Sequence, residues 1–334
     1  MTYIIAEAGV NHNGSLEKGK ELIKKAKEVG ADCIKFQTFK TENLVTHRSP
    51  KANYQLKVTD QKESQFDMLK KLEIRYEDFK ILKQECEKNS IEFISTPYNF
   101  EDVDFLDELD IKCFKIASGQ LTELPFIEYV ASKKREIILS TGMGNLSQVN
   151  DAVQLIRKFK IEPIVLQCTT NYPSPIEDAN LNAMITMREA LKVKVGYSDH
   201  VQNNYACYAA VALGAQVIEK HFTLDKNDIG PDHSSSSNPS EFRSLVEGIR
   251  AIESVLGSGI KTPTDKEIKN IHGMKRSIVL KKDLEKGDLI TIETLEFKRP
   301  ANGLDPNMIN YILGKKLKNN YLKDTPLNFN MIEW

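Results

Sequence analysis

The chain has no CxxC or CxxCH pairing, and its five cysteines (Cys33, Cys86, Cys113, Cys168 and Cys207) stand at irregular spacing. An odd, unpatterned set excludes a disulfide scaffold and reads as reduced, mostly buried thiols of a cytoplasmic protein. Net charge is almost absent too: 46 Lys and Arg against 47 Asp and Glu leave −1. No cationic field exists to hold nucleic acid or anionic lipid, although a local basic pocket can hide inside such an average. Long apolar runs are also missing. The richest stretch, 205–218, contains Gly214 and Gln216 and is too short to cross a bilayer. The start, MTYIIAEAG, has no basic n-region and reaches Glu7 too early for a signal peptide. Finally, no GxGxxG follows the first apolar run, which counts against an open dinucleotide-binding sheet, and neither HxH nor HExxH occurs.

What is present is globular: 40% hydrophobic and 28% charged residues over 334 positions. Such a length predicts about two domains, or one large barrel with an addition. Eight short apolar runs read as strands: 3–7, 33–37, 91–95, 112–116, 136–140, 163–167, 193–197 and 216–220. Amphipathic segments lie between them. From Ser15 to Val29, Leu16, Leu22, Ile23, Ala26 and Val29 share one face, Ser15 can cap and Gly30 can stop the helix. Eight strand–helix units imply parallel crossovers and match a (β/α)8 TIM barrel over residues 1–260. One connection, 38–90, is long and carries helical segments near 64–72 and 77–89, as lids and substrate loops often do. Residues 261–276 (KTPTDKE onward) read as a polar linker, and 277–334 as a small domain of short β pieces. A domain that small is expected to dock or oligomerise.

Barrel active sites gather where strands end. Here those ends carry Glu7, Lys35, Gln37, Ser95, Thr96, Lys115, Ser118, Ser140, Thr141, Thr169, Thr170, Ser198, Asp199, His200, Glu219 and His221. Lys35 and Lys115 stand inside apolar strands, so each needs an anionic partner or a lowered pKa. They either pair structurally with Glu7 or Glu219, clamp a phosphate or carboxylate, or form a Schiff base. The Ser-Gly and Ser-Thr-Gly turns beside them favour a phosphorylated, carboxylated substrate. His200 and His221 close neighbouring strands and can share one divalent ion, or sit hydrogen-bonded in the core. His12 lines the site or stabilises its NHNG turn, His233 follows strand eight beside Asp232, and His47 and His272 face solvent. Cys168, without a base nearby in sequence, reads as a buried hydrophobe.

IAEAGVNHNG, IKFQTFK, FISTPY, FKIASGQ, ILSTGM, CTTNYPSP, VGYSDH, VIEKHFTLDK, GPDH and KRPANG occur in that order, and together they resemble the N-acetylneuraminate synthase family. The resemblance spans nearly the whole chain. It implies a (β/α)8 barrel followed by a β-clip domain similar to type III antifreeze proteins (a SAF domain), in a domain-swapped homodimer whose small domain caps the partner's barrel. It implies condensation of phosphoenolpyruvate with an N-acetylated mannosamine-type sugar, giving a nine-carbon 2-keto acid and phosphate. A divalent ion is expected, manganese first, with magnesium or cobalt as substitutes. By motif, His200 and His221 resemble the metal ligands. Lys35, Thr96, Lys115, Ser118, Ser140 and Ser198 resemble the phosphoenolpyruvate cradle. Gln37, Thr170, Tyr172 and Asp232 resemble sugar contacts, and Arg299 the arginine that reaches the partner's site. Glu219, then Glu7, is the expected activator of water, because Glu219 lies two residues from His221 and shares its face of the strand.

Three segments depart from the family pattern. Gln120 replaces an acid, Thr170 replaces the Asn of sialic acid synthases, and Ser234–Ser237 replace an apolar stretch. GPDH sets the chain apart from the pseudaminate branch, and the resemblance spans the neuraminate and legionaminate branches alike. Rival readings are a phosphoenolpyruvate-dependent 3-deoxy-keto-acid synthase, against which KRPANG counts, a class I aldolase using Lys115, and a non-catalytic carbohydrate- or ice-binding module.

Overall fold

The computed structural model describes residues 1–334, apart from the side chain of Lys57. Each of the eight apolar runs becomes a strand, its ends displaced by one or two residues at most: β1 (Tyr3–Gly9), β2 (Cys33–Thr38), β3 (Glu92–Pro97), β4 (Cys113–Ile116), β5 (Glu136–Ser140), β6 (Ile164–Cys168), β7 (Lys194–Asp199) and β8 (Val217–His221). They lie parallel in sequence order, and β8 pairs with β1 in register Glu7↔His221 to close a barrel. The register of β1 against β2 slips between Glu7 and Gly9, where Gly9 takes φ +52°. A Cβ there would stand 3.2 Å from both Glu7 Oε1 and Gln37 Nε2, so glycine lets these two side chains meet.

The barrel interior follows from the two-residue period of a strand. Ile5, Cys33, Ile94, Cys113, Ile138, Leu166 and Val217 pack together as one closed apolar layer. Two residues further along the same strands stand Glu7, Lys35, Thr96, Lys115, Ser140, Cys168 and Glu219, all lining a cavity. Seven strands therefore switch from oil to chemistry at the same height. The layer beneath excludes water from below, and the polar layer opens toward the strand ends.

Helices cover the outside with the apolar faces that the periodicity predicts. In α1 (Leu16–Glu28), Leu22, Ile23 and Ala26 are buried, Ser15 Oγ accepts from Lys18 N–H, and Gly30 leaves at φ +88°. Within the long connection, α2 (Gln65–Leu72) and α3 (Tyr76–Lys88) form close to their expected places, with short helical turns at 41–44 and 55–58. The surrounding ring continues with α4 (Phe100–Glu108), α5 (Leu124–Ser132), α6 (Leu146–Arg157), α7 (Leu181–Leu191), α8 (Tyr205–Ala212) and α9 (Pro239–Leu256). Asn99, Asn145 and Asn238 cap α4, α6 and α9 through reciprocal capping boxes.

The chain divides into two compact units, Met1–Gly257 and Ser258–Trp334. The polar stretch expected as a linker is not extended throughout. It contains α10 (Asp265–Met274), started by a capping box between Thr264 and Glu267. Local chemistry builds this helix, since it buries no residue of its own. Beyond it, β9 (Ser277–Leu280) pairs antiparallel with β10 (Leu295–Lys298), and β11 (Lys316–Leu317) with β12 (Ile332–Glu333). Ile278, Leu280, Ile290, Ile312, Leu317, Leu327 and Ile332 form this unit's own core. No helix is long and apolar enough to cross a membrane among the described residues.

Candidate active site

One cavity of about 370 Å³ opens at the strand ends of the barrel. Glu7, Lys35, Gln37, Thr96, Lys115, Ser118, Ser140, Thr170, Tyr172, Ser198, His200, Glu219, His221 and Asp232 all line it. Every barrel residue that the motifs single out is thus brought to one place. Arg299 belongs to the second unit, where it is exposed and its Nε donates to Met274 O at 3.0 Å.

At the centre, two ammonium groups face two carboxylates. Lys35 Nζ lies 2.8 Å from Glu7 Oε2 and 3.8 Å from Glu219 Oε2, and Lys115 Nζ lies 3.7 Å from Glu219 Oε1. Lys35 also donates to Thr96 Oγ1 (3.1 Å) and Lys115 to Ser140 Oγ (2.6 Å), while Ser198 Oγ donates to Glu219 Oε1 (2.9 Å). Burial raises the Glu7 carboxyl to about 7, working with the nearby Glu219 charge against the attraction of Lys35. Burial pushes Glu219 the same way, yet Lys115, Lys35 and the Ser198 hydroxyl outweigh it and hold this carboxyl below its ordinary value. The two acids therefore differ in character although they share Lys35. Burial lowers Lys115, and Lys35 adds like-charge repulsion.

Hydroxyls and a glycine complete the wall over β4 to β6. Gly142 N–H donates to Ser118 Oγ at 3.0 Å, and a Cβ at Gly142 would fall inside contact distance of Thr170 Oγ1 and 2.8 Å from Ser118 Oγ. The backbone can approach these side chains so closely only without a Cβ. Thr170 Oγ1 is buried with no partner among the described residues, as is Glu219 Oε2. Uncompensated buried polar atoms around an open cavity are groups built to meet a ligand.

Over β7 and β8 stand the two imidazoles, their centroids 5.4 Å apart, with the Tyr172 ring 4.0 Å from His200 and 5.6 Å from His221. His200 Nδ1 lies 2.7 Å from Thr169 O. A carbonyl only accepts, so Nδ1 carries a proton, and Nε2 is the nitrogen that holds the lone pair whenever the ring is neutral. His221 Nδ1 is buried without a hydrogen-bond partner among the described residues, 4.0 Å from Asp232 Oδ2. Burial, then the neighbouring cationic groups, keeps His221 well below the usual imidazole range, hence neutral. Burial also raises Asp232 to about 6. Burial pushes His200 down, but Cys168 and the Thr169 carbonyl outweigh it and hold this imidazole above its usual value. Two adjacent imidazoles beside the Asp232 carboxyl are donors that suit a borderline divalent ion. No group of three or more His, Cys, Asp or Glu placed to hold a metal ion is assembled among the described residues.

Four strand-end residues turn away from the cavity because the strand alternates. Ser95 meets Thr38, Thr141 Oγ1 donates to Leu166 O, and Thr169 Oγ1 donates to Asp178 O. Asp199 points outward with Lys220, and the two pair behind the barrel. His12 holds its turn by accepting from Gly14 N–H at 3.0 Å, and it does not line the cavity. His233 sits between Thr223 Oγ1 and Asn13 Oδ1. Gln120 is buried, donating to Pro97 O and accepting from Ala117 N–H, so it ties two loops together and takes no acid role. Cys168 is buried as expected, but it lines the cavity with Sγ 3.9 Å from His200 Nδ1. Burial pushes this thiol up, but His200, Ser118 and Lys115 outweigh it and hold it below its usual value. Sequence reasoning missed Tyr54, Gln55, Gln65, Leu69 and Tyr98, which also line the cavity. Only the length of the 38–90 connection signalled the first four.

Fold and cavity together define a barrel enzyme with two buried lysines, two carboxylates and two imidazoles gathered at its strand ends. The model of the NeuB family matches residues 22–261, and that of the SAF domain residues 275–333. The N,N'-diacetyllegionaminic acid synthase of Campylobacter jejuni is 47% identical over 97% of this chain and 98% of its own length. The enzyme of the same name from Legionella pneumophila is 44% identical over 99% of this chain and 94% of its own. The structure of the N-acetylneuraminic acid synthetase of Leptospira borgpetersenii, in complex with citrate, superposes with a TM-score of 0.73 at 32% identity, covering 81% of this chain and 90% of that one. The chain belongs to the NeuB family.

Proposed function

We propose that this enzyme condenses phosphoenolpyruvate with an N-acetylated mannosamine-type sugar to give a nine-carbon 2-keto acid and phosphate, and that the sugar is of the 2,4-diacetamido, legionaminate-forming kind. The single observation that carries the reading is the convergence of Lys35, Lys115, Glu7, Glu219, His200 and His221 on one cavity. The two relatives at 47% and 44% identity support the choice of sugar.

Lys35 and Lys115, with the hydroxyls of Thr96, Ser118, Ser140 and Ser198, hold the phosphate and carboxylate of phosphoenolpyruvate. Gln37, Thr170, Tyr172 and Asp232 position the open-chain sugar. A divalent ion, manganese first, held by His200 and His221 would polarise the aldehyde as a Lewis acid. The enol carbon C3 bonds to the aldehyde carbon, whose oxygen takes the proton of Glu7, the acid raised to about 7, and becomes a hydroxyl. Glu219, whose Oε2 is free, takes a proton from the water that adds to C2, with Glu7 beside it as the second acid–base group. The C2–OH loses its proton as the C2–O bond to phosphate breaks, leaving ketone and inorganic phosphate.

The working form in this reading is a homodimer in the cytoplasm. Residues 277–334 of one chain cap the barrel of the other and deliver Arg299. Exposed apolar side chains in the loops and first helical residues after β5 to β8 (Met143, Leu146, Ile176, Tyr205 and Ile229) favour such a cover. All five cysteines are free, as a reducing compartment keeps them. Phosphate release measured with phosphoenolpyruvate, manganese and 2,4-diacetamido-2,4,6-trideoxymannose or N-acetylmannosamine tests the reading. Release requiring all three components supports it, and release with neither sugar overturns it.

A further inference from the structure

We propose that the roof formed by residues 39–75 is the sugar-specificity element of this cavity, reading the second acetamido group and the deoxygenated end of the substrate through Gln55, Gln65 and Val45. The proposal rests on the function above and extends it to the half of the sugar farthest from the reacting carbon. The lysines, Glu7 and most of the hydroxyls form the floor of the cavity across β1 to β5, and the imidazoles stand over β7 and β8. The long connection after β2 leaves the barrel at the strand ends, so beyond that floor on the β1–β3 side it supplies the roof that the distal end of the sugar would meet.

That side is lined by Val10, Leu44, Val45 and Leu69. Val10, Leu44 and Leu69 belong to one packed apolar cluster with Phe39 and Leu72, so this wall is fixed by its own core. A sugar rich in free hydroxyls would bury them here without partners, whereas methyl groups fit. Two carboxamides interrupt the wall. Gln55 is buried, and its Oε1 accepts from Ala52 N–H at 2.9 Å and from Gln65 Nε2 at 3.3 Å. Gln55 Nε2 has only a long 3.4 Å contact with Tyr54 Oη, so it remains available as a donor, and Gln65 keeps its Oε1 as an acceptor. One donor and one acceptor beside an apolar surface complement the carbonyl, N–H and methyl of an acetamido group.

The roof is also preorganised. Buried Lys51 ties it together by donating to Thr59 Oγ1 (3.0 Å), Asp60 O (2.7 Å) and Glu63 Oε2 (3.2 Å). The Tyr54 ring rests 4.8 Å from Tyr172, joining the roof to the loop after β6.

Two near-isosteric variants test the assignment. Gln55→Glu keeps the acceptor toward Ala52 and removes the donor, and Val45→Thr adds one hydroxyl without changing shape. With 2,4-diacetamido-2,4,6-trideoxymannose, each is expected to raise the sugar KM about tenfold or more, as loss of one buried polar or apolar match does. The KM for phosphoenolpyruvate and the thermal midpoint should not move, and kcat/KM for N-acetylmannosamine should hold or rise. Unchanged sugar KM values, or equal losses on both sugars, overturn the proposal while leaving the reaction intact. A wild-type enzyme that released phosphate with neither sugar would overturn the reaction first, and this subsite with it.

Discussion

His221 and Gly142 show how much of the site depends on single atoms. The proposed metal role of His221 rests on its buried, unpartnered Nδ1 and its neutral ring. We expect His221→Ala to abolish phosphate release while leaving the melting temperature nearly unchanged. Near-normal turnover in that variant would sink the metal assignment. Gly142 works through space instead. Gly142→Ala puts a methyl against Ser118 Oγ, a phosphoenolpyruvate contact in the proposed reading, and Thr170 Oγ1, a sugar contact, and should raise the KM for both substrates about tenfold or more. A change confined to phosphoenolpyruvate would mean that Thr170 lies outside the reach of the sugar. Both roles were partly legible beforehand. The histidines ended neighbouring strands in the sequence, and Ser140-Thr-Gly142 read as an anion-binding turn. Which ring nitrogen of His200 is free was not legible, because Thr169 O decides it from another strand.

Among the elements, the strands were the easiest to read and the roof the hardest. A parallel strand buried on both faces announces itself as a short apolar run, and its alternation placed Glu7, Lys35, Lys115 and Glu219 on the inner face. The same alternation turns Asp199 and Lys220 outward into a buried ion pair, with Lys220 also donating to Val201 O. Lys220→Met should destabilise the barrel by about 3–5 kcal/mol, since it strands a buried carboxylate, and Asp199→Asn in the same chain should recover part of the loss. Urea denaturation of the single and double variants measures this coupling, and additive losses would contradict it. In the roof, Lys51→Ala removes three donated hydrogen bonds and is expected to speed proteolytic cleavage within residues 39–75 several-fold, leaving the rest of the barrel resistant. Uniform resistance would show that apolar packing alone holds the roof. Of the roof, only the helical segment near 64–72 could be read in the sequence, because the rest has neither a sustained period nor a turn motif to index its contacts.

For the whole molecule, the decisive question is how two unequal units cooperate. If the second unit of one chain completes the barrel of the other, two defects on different chains can cancel. Mixing inactive Arg299→Ala with inactive His221→Ala, then unfolding and refolding them together, should restore about a quarter of wild-type activity. Half of the dimers are then mixed, and each mixed dimer has one site with both residues intact. No recovery on refolding would place Arg299 over its own barrel or outside the site. Sedimentation should report a dimer in either case.

Local pattern alone determined the eight strands, their order and the inward face of each, because backbone sterics allow only a few periodicities and connection hands. It also showed that near-zero net charge conceals two lysines inside apolar strands. Only the closed barrel decided which polar residues share one cavity, which nitrogen of His200 is free and which acid faces two lysines. Those outcomes depend on distances between strands far apart in the chain, and burial there shifts proton affinities that a sequence leaves at their ordinary values.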